Sequence, residues 1–192
     1  MKRFSVIIFS LAILAIFCLV AAGGISSAQQ PGIDKTFRMQ GSGYTIGYPS
    51  TWEYAAAGPD RIVFGGSREK GTLGSAVGIR NVNSTKVQGG KYKDMDALTG
   101  DLLDQLKAAE VKDVKVYPTE TYIYEREGVS VTGKQFLVEY NYQGGTYKQW
   151  FVIVPRPAGD VFHLWYYVAP LAQYDRDLGT AKAMLASWAL DK

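Results

Sequence analysis

The chain has 192 residues, with 21 basic against 18 acidic side chains, a formal charge of +3 and 47% hydrophobic content. Lys2 and Arg3 supply most of the excess positive charge, so the remainder is close to balanced and gives no electrostatic case for nucleic acid or an anionic membrane surface. With Cys18 the sole cysteine and His163 the sole histidine, a disulfide framework and a cysteine- or histidine-rich metal site are excluded.

The first residues read as a leader. Lys2 and Arg3 precede an almost wholly apolar run from Ser5 to Ala22, and Ser26-Ser27-Ala28 presents the small residues a signal peptidase requires. Cleavage is expected after Ala28. Because about 18 apolar residues also suffice to cross a bilayer, retention as an N-terminal anchor is the alternative. A lipidated Cys18 is disfavoured by Phe17 before it. Each case places the folded part outside the cytoplasm. Residues 29–36 then form a tether and residues 37–192 one domain. Its length of about 160 residues is enough for a sizeable core.

In chain order, Phe37 to Met39 predicts an edge strand and Gly41-Ser42-Gly43 a turn. Tyr44 to Tyr48 predicts a strand with Tyr44, Ile46 and Tyr48 on one face. Pro49 ends it, and Trp52 is expected to pack over its end. Ala55 to Asp60 reads as a loop, Arg61 to Phe64 as a strand, Ser67 to Thr72 as a polar turn and Leu73 to Val82 as a strand. Asn83 to Lys93 is expected to be a mobile loop. Asp94 then caps a helix from Met95 to Ala109, with Met95, Leu98, Leu102, Leu103 and Leu106 as its apolar stripe and Asp101, Asp104, Lys107 and Glu110 on its wet face. Gly100 inside it is expected to pack closely against a sheet.

Val114 to Tyr117, Glu120 to Arg126 and Val129 to Tyr142 predict successive strands, with a tight turn at Glu127-Gly128. A two-residue hairpin at Gly144-Gly145 would pair Tyr142 with Tyr147, Tyr140 with Gln149, Val138 with Phe151 and Phe136 with Ile153. The loop from Pro155 to Asp160 leads to Val161–Val168, apolar on both faces apart from His163 and therefore a central strand. Pro170 opens a last helix on which Leu171, Tyr174, Leu178, Ala181, Leu185 and Trp188 recur at three- and four-residue steps. The two helices should cover opposite faces of the sheet.

Chemistry is sparse. His163 lacks a serine in a Gly-x-Ser-x-Gly elbow or another evident nucleophile, and reads as a core histidine. Asp94 with Asp96, Asp101 with Asp104, and Asp175 with Asp177 match no calcium-loop spacing. Neither Gly41-Ser42-Gly43 nor Gly65-Gly66 sits in a phosphate-loop pattern. No catalytic residue, metal site or cofactor is expected. Of the 13 tyrosines, Tyr122, Tyr124, Tyr140, Tyr142 and Tyr147 lie on neighbouring predicted strands. They read either as core and cross-strand aromatic pairs or as an amphipathic surface for a partner or ligand.

The stretch Gly43-Tyr44-Thr45-Ile46-Gly47-Tyr48-Pro49-Ser50-Thr51-Trp52 resembles the opening of PsbP-like domains, in which a short strand runs into a proline with a tryptophan three residues on. The order of elements is also similar: a middle helix, a run of antiparallel strands, and a C-terminal helix carrying a late aromatic, here Trp188. The resemblance spans roughly Phe37 to Leu190 and implies an α+β fold, an antiparallel sheet sandwiched between helices. It implies an exported or lumenal protein without enzymatic activity. Members bind and stabilise the water-oxidising photosystem or reside in the envelope. A single histidine departs from the metal-binding members. The reading is thus a monomeric, extracytoplasmic domain that binds or stabilises a protein partner, a membrane-associated complex. The alternative is a carrier of a small apolar or aromatic ligand held between sheet and helix.

Overall fold

The structure is a computed structural model that describes residues 32–38, 40–66, 74–108 and 110–191. The expected leader, the first part of the tether, Met39, the polar turn from Ser67 to Thr72 with Leu73, and Ala109 at the expected helix end lie outside the described residues.

The elements run β1 (Lys35–Arg38), β2 (Tyr44–Tyr48), β3 (Glu53–Ala56), β4 (Arg61–Gly65), β5 (Ala76–Asn83), α1 (Met95–Ala108), β6 (Lys112–Val116), β7 (Glu120–Arg126), β8 (Val129–Tyr142), β9 (Gly145–Pro155), β10 (Val161–Pro170), α2 (Leu171–Ser187) and β11 (Ala189–Leu190). An eight-stranded sheet is ordered β3-β4-β5-β10-β9-β8-β6, with β7 also paired to β8, and a three-stranded sheet is ordered β1-β2-β11. All these pairings are antiparallel.

β10 lies between β5 and β9, and it is apolar on both faces because both are covered. Side chains alternate across a strand. Leu164 and Tyr166 therefore pack with Phe136, Val138 and Phe151 beside Leu98, Leu102 and Leu106 of α1. Trp165 and Tyr167 pack with Val77 and Ile79 beside Ala181, Met184 and Leu185 of α2. Burying each such large side chain stabilises the fold by about 1.5–3 kcal/mol. The expected sandwich, one helix on each face, is what forms. Asp94 caps α1 as expected, its Oδ1 accepting the Ala97 N–H at 2.8 Å.

The β8–β9 hairpin departs from its expected register. Its two turn residues are Gln143 and Gly144, at φ 47 and 81, a turn that needs positive φ at both positions. The pairs are Tyr142 with Gly145, Tyr140 with Tyr147, Val138 with Gln149 and Phe136 with Phe151. Gly145 belongs to the strand, where a β-carbon would press on the Tyr147 ring at 3.1 Å. Centring the turn one residue earlier offsets every partner by two positions, which preserves the faces. The faces were therefore legible and the partners were not. The resulting ring pairs stack at 4.8 Å for Phe136–Phe151 and 6.0 Å for Tyr140–Tyr147.

Other expectations change for local reasons. Residues 53–56 form β3 where a loop began, because pairing with β4 supplies an order that their unpatterned sequence does not. The chain end forms β11, pairing Ala189 with Thr45 and Leu190 with Tyr44. The expected mobile loop is tied down: Ser84 bridges to Tyr92, Thr85 N–H donates to Tyr92 O at 2.9 Å, and the buried Tyr92 hydroxyl donates to Asp101. Asp101 is thereby drawn off the wet face. Gly100 meets open space rather than the sheet. Leu171, expected in the α2 stripe, is exposed in the helix's first turn.

Replacing Gln143 by Asn creates an Asn-Gly turn suited to positive φ. Gln143→Asn is expected to stabilise the fold by about 0.5–1 kcal/mol, read as a raised thermal midpoint. A lowered midpoint would contradict the observed turn.

Candidate functional site

At the end of the molecule where β10 begins, three segments converge on a pocket of about 330 Å³. The β1–β2 turn contributes Gly41 and Gly43, the β9–β10 loop contributes Arg156, Pro157, Ala158 and Asp160, and the chain end contributes Asp191. The loop is built by its own backbone: Arg156 N–H donates to Val161 O at 2.8 Å and Gly159 N–H to Arg156 O at 2.7 Å. Ser84 clamps it from β5's end, its N–H donating to Asp160 O and its Oγ to Gly159 O, each at 2.8 Å. Asp191 is positioned by its N–H donating to Gly43 O at 2.9 Å.

The pocket's charges are paired. Arg156 binds Asp160 through two nitrogens, one at 2.8 Å, and this guanidinium holds the Asp160 carboxyl below the usual carboxylate range. At the rim, Arg38 meets Asp191 at 3.2 Å. The lining can therefore offer both donors and acceptors to a polar or charged group.

His163 lies behind this wall. A β-carbon on Gly43 would sit 3.4 Å from both the Arg156 Nη1 and the His163 Cε1 atoms, and Gly43 has φ +77, which side-chain-bearing residues rarely adopt. Asn81 donates through Nδ2 to Ser42 O at 2.7 Å, so its Oδ1 is the atom facing His163 Nδ1 at 2.8 Å. That assigns the proton to Nδ1 and leaves Nε2 bare, with no hydrogen-bond partner among the described residues. Tyr44 and Trp188 box the ring at centroid distances of 5.8 and 6.1 Å. His163 is 0% exposed. Burial, then the nearby Arg156, lower its pKa to about 4, with Asp160 opposing. It is held neutral and out of reach of any substrate in the pocket.

The five tyrosines do not form one exposed platform. Tyr122 and Tyr124 belong to the α2-side core, and Tyr140, Tyr142 and Tyr147 to the α1-side core. Tyr124, Tyr140 and Tyr147 are buried and the other two half-buried. β7 and β9 both flank β8, and the alternation of each strand sends the two groups to opposite faces. Tyr124 is structural. Its hydroxyl donates to Trp188 O at 3.2 Å and accepts the Leu190 N–H at 2.7 Å. Arg126 adds a bond to Trp188 O at 3.0 Å and one to Leu185 O. Together they satisfy carbonyls at the α2 terminus.

Asp94, Asp96, Asp101, Asp104 and Asp177 are also committed. Asp94 caps α1 and Asp96 pairs with Lys134. Asp101 takes bonds from Lys91, Tyr92 and Gln105. Asp104 faces Lys107 at 3.6 Å, and Asp177 accepts from Ser75 and Arg176. The interior between sheet and α2, where a carried ligand would lie, is filled by Ile46, Phe64, Trp165, Met184 and Trp188, each 0% exposed. The pocket residues were legible only as a turn and a loop. Nothing in their spacing indicates that residues 41–43, 156–160 and 191 meet.

This architecture is that of PsbP-like and Mog1 proteins. The chain is similar to cyanobacterial PsbP (CyanoP) from Synechocystis, with TM-score 0.52, 12% identity, and coverage of 88% of this chain and 99% of that one. It is equally similar to the Saccharomyces cerevisiae Ran-binding protein Mog1p, with TM-score 0.52, 12% identity, and coverage of 81% and 94%. A Bacteroides thetaiotaomicron protein matches with TM-score 0.50 and 14% identity over 84% of this chain, which spans 50% of that protein's length. No protein-family model and no curated protein sequence matches the chain. At these identities the likeness defines the protein as an α+β domain of PsbP-like fold.

Two outcomes follow from the His163–Asn81 pair. The folded state favours neutral His163, so its contribution is whole above the unfolded pKa of 6.5 and is lost as pH falls toward about 4. About 2 kcal/mol should be gone by pH 5. Chemical denaturation between pH 7 and 5 measures the slope, which His163→Gln should flatten. Carboxylate losses such as that of Asp160 begin lower, around its ordinary value of 3.8. Asn81→Leu strands the buried His163 Nδ1–H and removes the bond that Asn81 gives to the Ser42 carbonyl, and should cost about 2–3 kcal/mol in the same assay at pH 7.

Proposed function

We propose that this protein is a non-enzymatic, extracytoplasmic binding domain, residues 37–192, that docks onto a protein partner at or near a membrane after removal of its leader. The observation that carries the reading is the contrast at one end of the molecule. The sole imidazole is sealed behind Gly43 with its proton committed to Asn81, while in front of it a polar pocket presents paired arginine and aspartate side chains on loops. Such an arrangement suits recognition better than proton transfer, which needs a titrating group within hydrogen-bond reach of the substrate. The yeast protein of the same fold is described as Ran-binding, a precedent for protein docking on this scaffold. The leader's basic flank, apolar run and small-residue site support export. Among the described residues no helix is long and apolar enough to cross a membrane.

Site-specific photo-crosslinking tests the surface. A crosslinker replacing Ala158, in the pocket wall, should give a discrete protein adduct in the native envelope. One replacing the exposed Leu171, at the far end of β10, should not. Asp160→Asn should diminish the Ala158 adduct. Equal adducts from both positions, or none from Ala158, would remove the pocket end as the docking surface.

A further inference from the structure

The sheets end in edges that are protected to different degrees. β1 and β3 have four residues each and β11 two. β1 carries Lys35 and Arg38. β6 loses register between Lys112 and Lys115, and both lysines discourage further pairing. β7 is neither short nor broken and carries no lysine, its charges being Glu120, Glu125 and Arg126. Its seven residues pair with β8 without interruption, from Glu120 opposite Gln135 to Arg126 opposite Val129. No described strand lies on its other side. It contains no proline or lysine, and Ile123 at its centre is 57% exposed, more than the other large hydrophobic side chains exposed on the surface, Tyr54, Val116 and Leu171.

The turn at Glu127 (φ 50) and Gly128 (φ 78) has positive φ at both positions and closes on Arg126 and Val129. That closing pair directs the backbone groups of residues 126, 124, 122 and 120 toward β8. Thr121, Ile123 and Glu125 therefore direct their N–H and C=O groups outward.

We propose that β7 is a self-association edge, on which a second copy of this chain pairs its own β7 antiparallel about a two-fold axis through Ile123. In this register Ile123 lies opposite Ile123 of the second copy, Thr121 opposite Glu125, Tyr122 opposite Tyr124 and Glu120 opposite Arg126. The outward backbone groups of both strands meet one another, and two complementary charge pairs flank an apolar centre. A one-residue slip points outward groups at inward ones. A two-residue slip sets Ile123 against Thr121 or Glu125 and separates Glu120 from Arg126. Arg126 is pre-positioned by its bonds, through Nη1, to the Leu185 and Trp188 carbonyls. Among the described residues Glu120 accepts a 3.3 Å bond from Gln135. The reading replaces the monomer expected from sequence and does not depend on the pocket.

Sedimentation velocity on the full chain, from micromolar to near-millimolar concentration, tests it. The wild-type chain should form a reversible dimer. Ile123→Lys sets two ammonium groups on the axis, and Glu120→Arg sets two cations opposite one another. Each should weaken the dimer at least about tenfold, with an unchanged circular dichroism spectrum showing that the fold survives. The effect of Glu120→Arg should shrink at high salt. A wild-type chain that stays monomeric throughout overturns the proposal, as does a dimer indifferent to either substitution. Association through the apolar leader would survive both changes and so counts against the β7 edge.

Discussion

The burial of β10 on both faces is the constraint from which the rest of the structure follows. A strand with Trp165 and Tyr167 on one side and Leu164 and Tyr166 on the other must be covered twice. The covering helices are α1 and α2, the two among the described residues. α1 sits over the β8–β9 end of one face, and α2 lies on the other with the small β1-β2-β11 sheet beside it. Ring contacts such as Trp150–Trp165 at 5.2 Å and Tyr167–Tyr174 at 4.9 Å join the strand to its surroundings. In dense apolar packing of this kind a polar inclusion costs free energy that a specific hydrogen bond offsets.

His163 is such an inclusion, and its partner explains the construction of the pocket. Asn81 reaches from β5 to bond both the imidazole and the β1–β2 turn, so the turn is held against the start of β10. That turn also receives Asp191 from the chain end. A histidine that looks catalytic on residue type alone is thus the internal post on which a surface pocket hangs. Its depressed pKa follows from that role: the low-polarity surroundings and the positive Arg156 both oppose a second proton.

The aromatic residues divide between roles in a similar way. Tyr124 closes the end of α2 and fixes β11, so a side chain that reads as a contact candidate is structural. On the opposite face of the same strand Ile123 is exposed, and no described strand pairs with its outer edge. β7 is therefore anchored by its inner face and open along its edge. An anchored strand with an open edge is pre-ordered for pairing, because little conformational entropy remains to be lost when a second strand adds to it.

Periodicity and punctuation in the sequence determined the elements themselves, β3 and β11 excepted. Alternation set the faces of β2, β7 and β8, an almost unbroken apolar run marked β10 as a central strand, the apolar stripes set both helices, and Asp94 marked the start of α1. Alternation repeats every two residues, so it could assign Phe136 and Val138 to the core yet could not distinguish registers offset by two. Local backbone geometry at Gln143 and Gly144 made that choice. Gly100 and Leu171 fit a helical stripe in sequence, but whether a neighbour lies within reach is a property of how the helix is placed. The same holds for the site. Gly43, Arg156 and Asp191 are far apart along the chain and carry no shared pattern. Only the pairing of β10 with β5, and the return of β11 to β2, brings them to one end of the molecule. Residue-by-residue chemistry identifies which groups can bind or titrate, and tertiary packing decides which of them meet, which are sealed from water and which edge stays open.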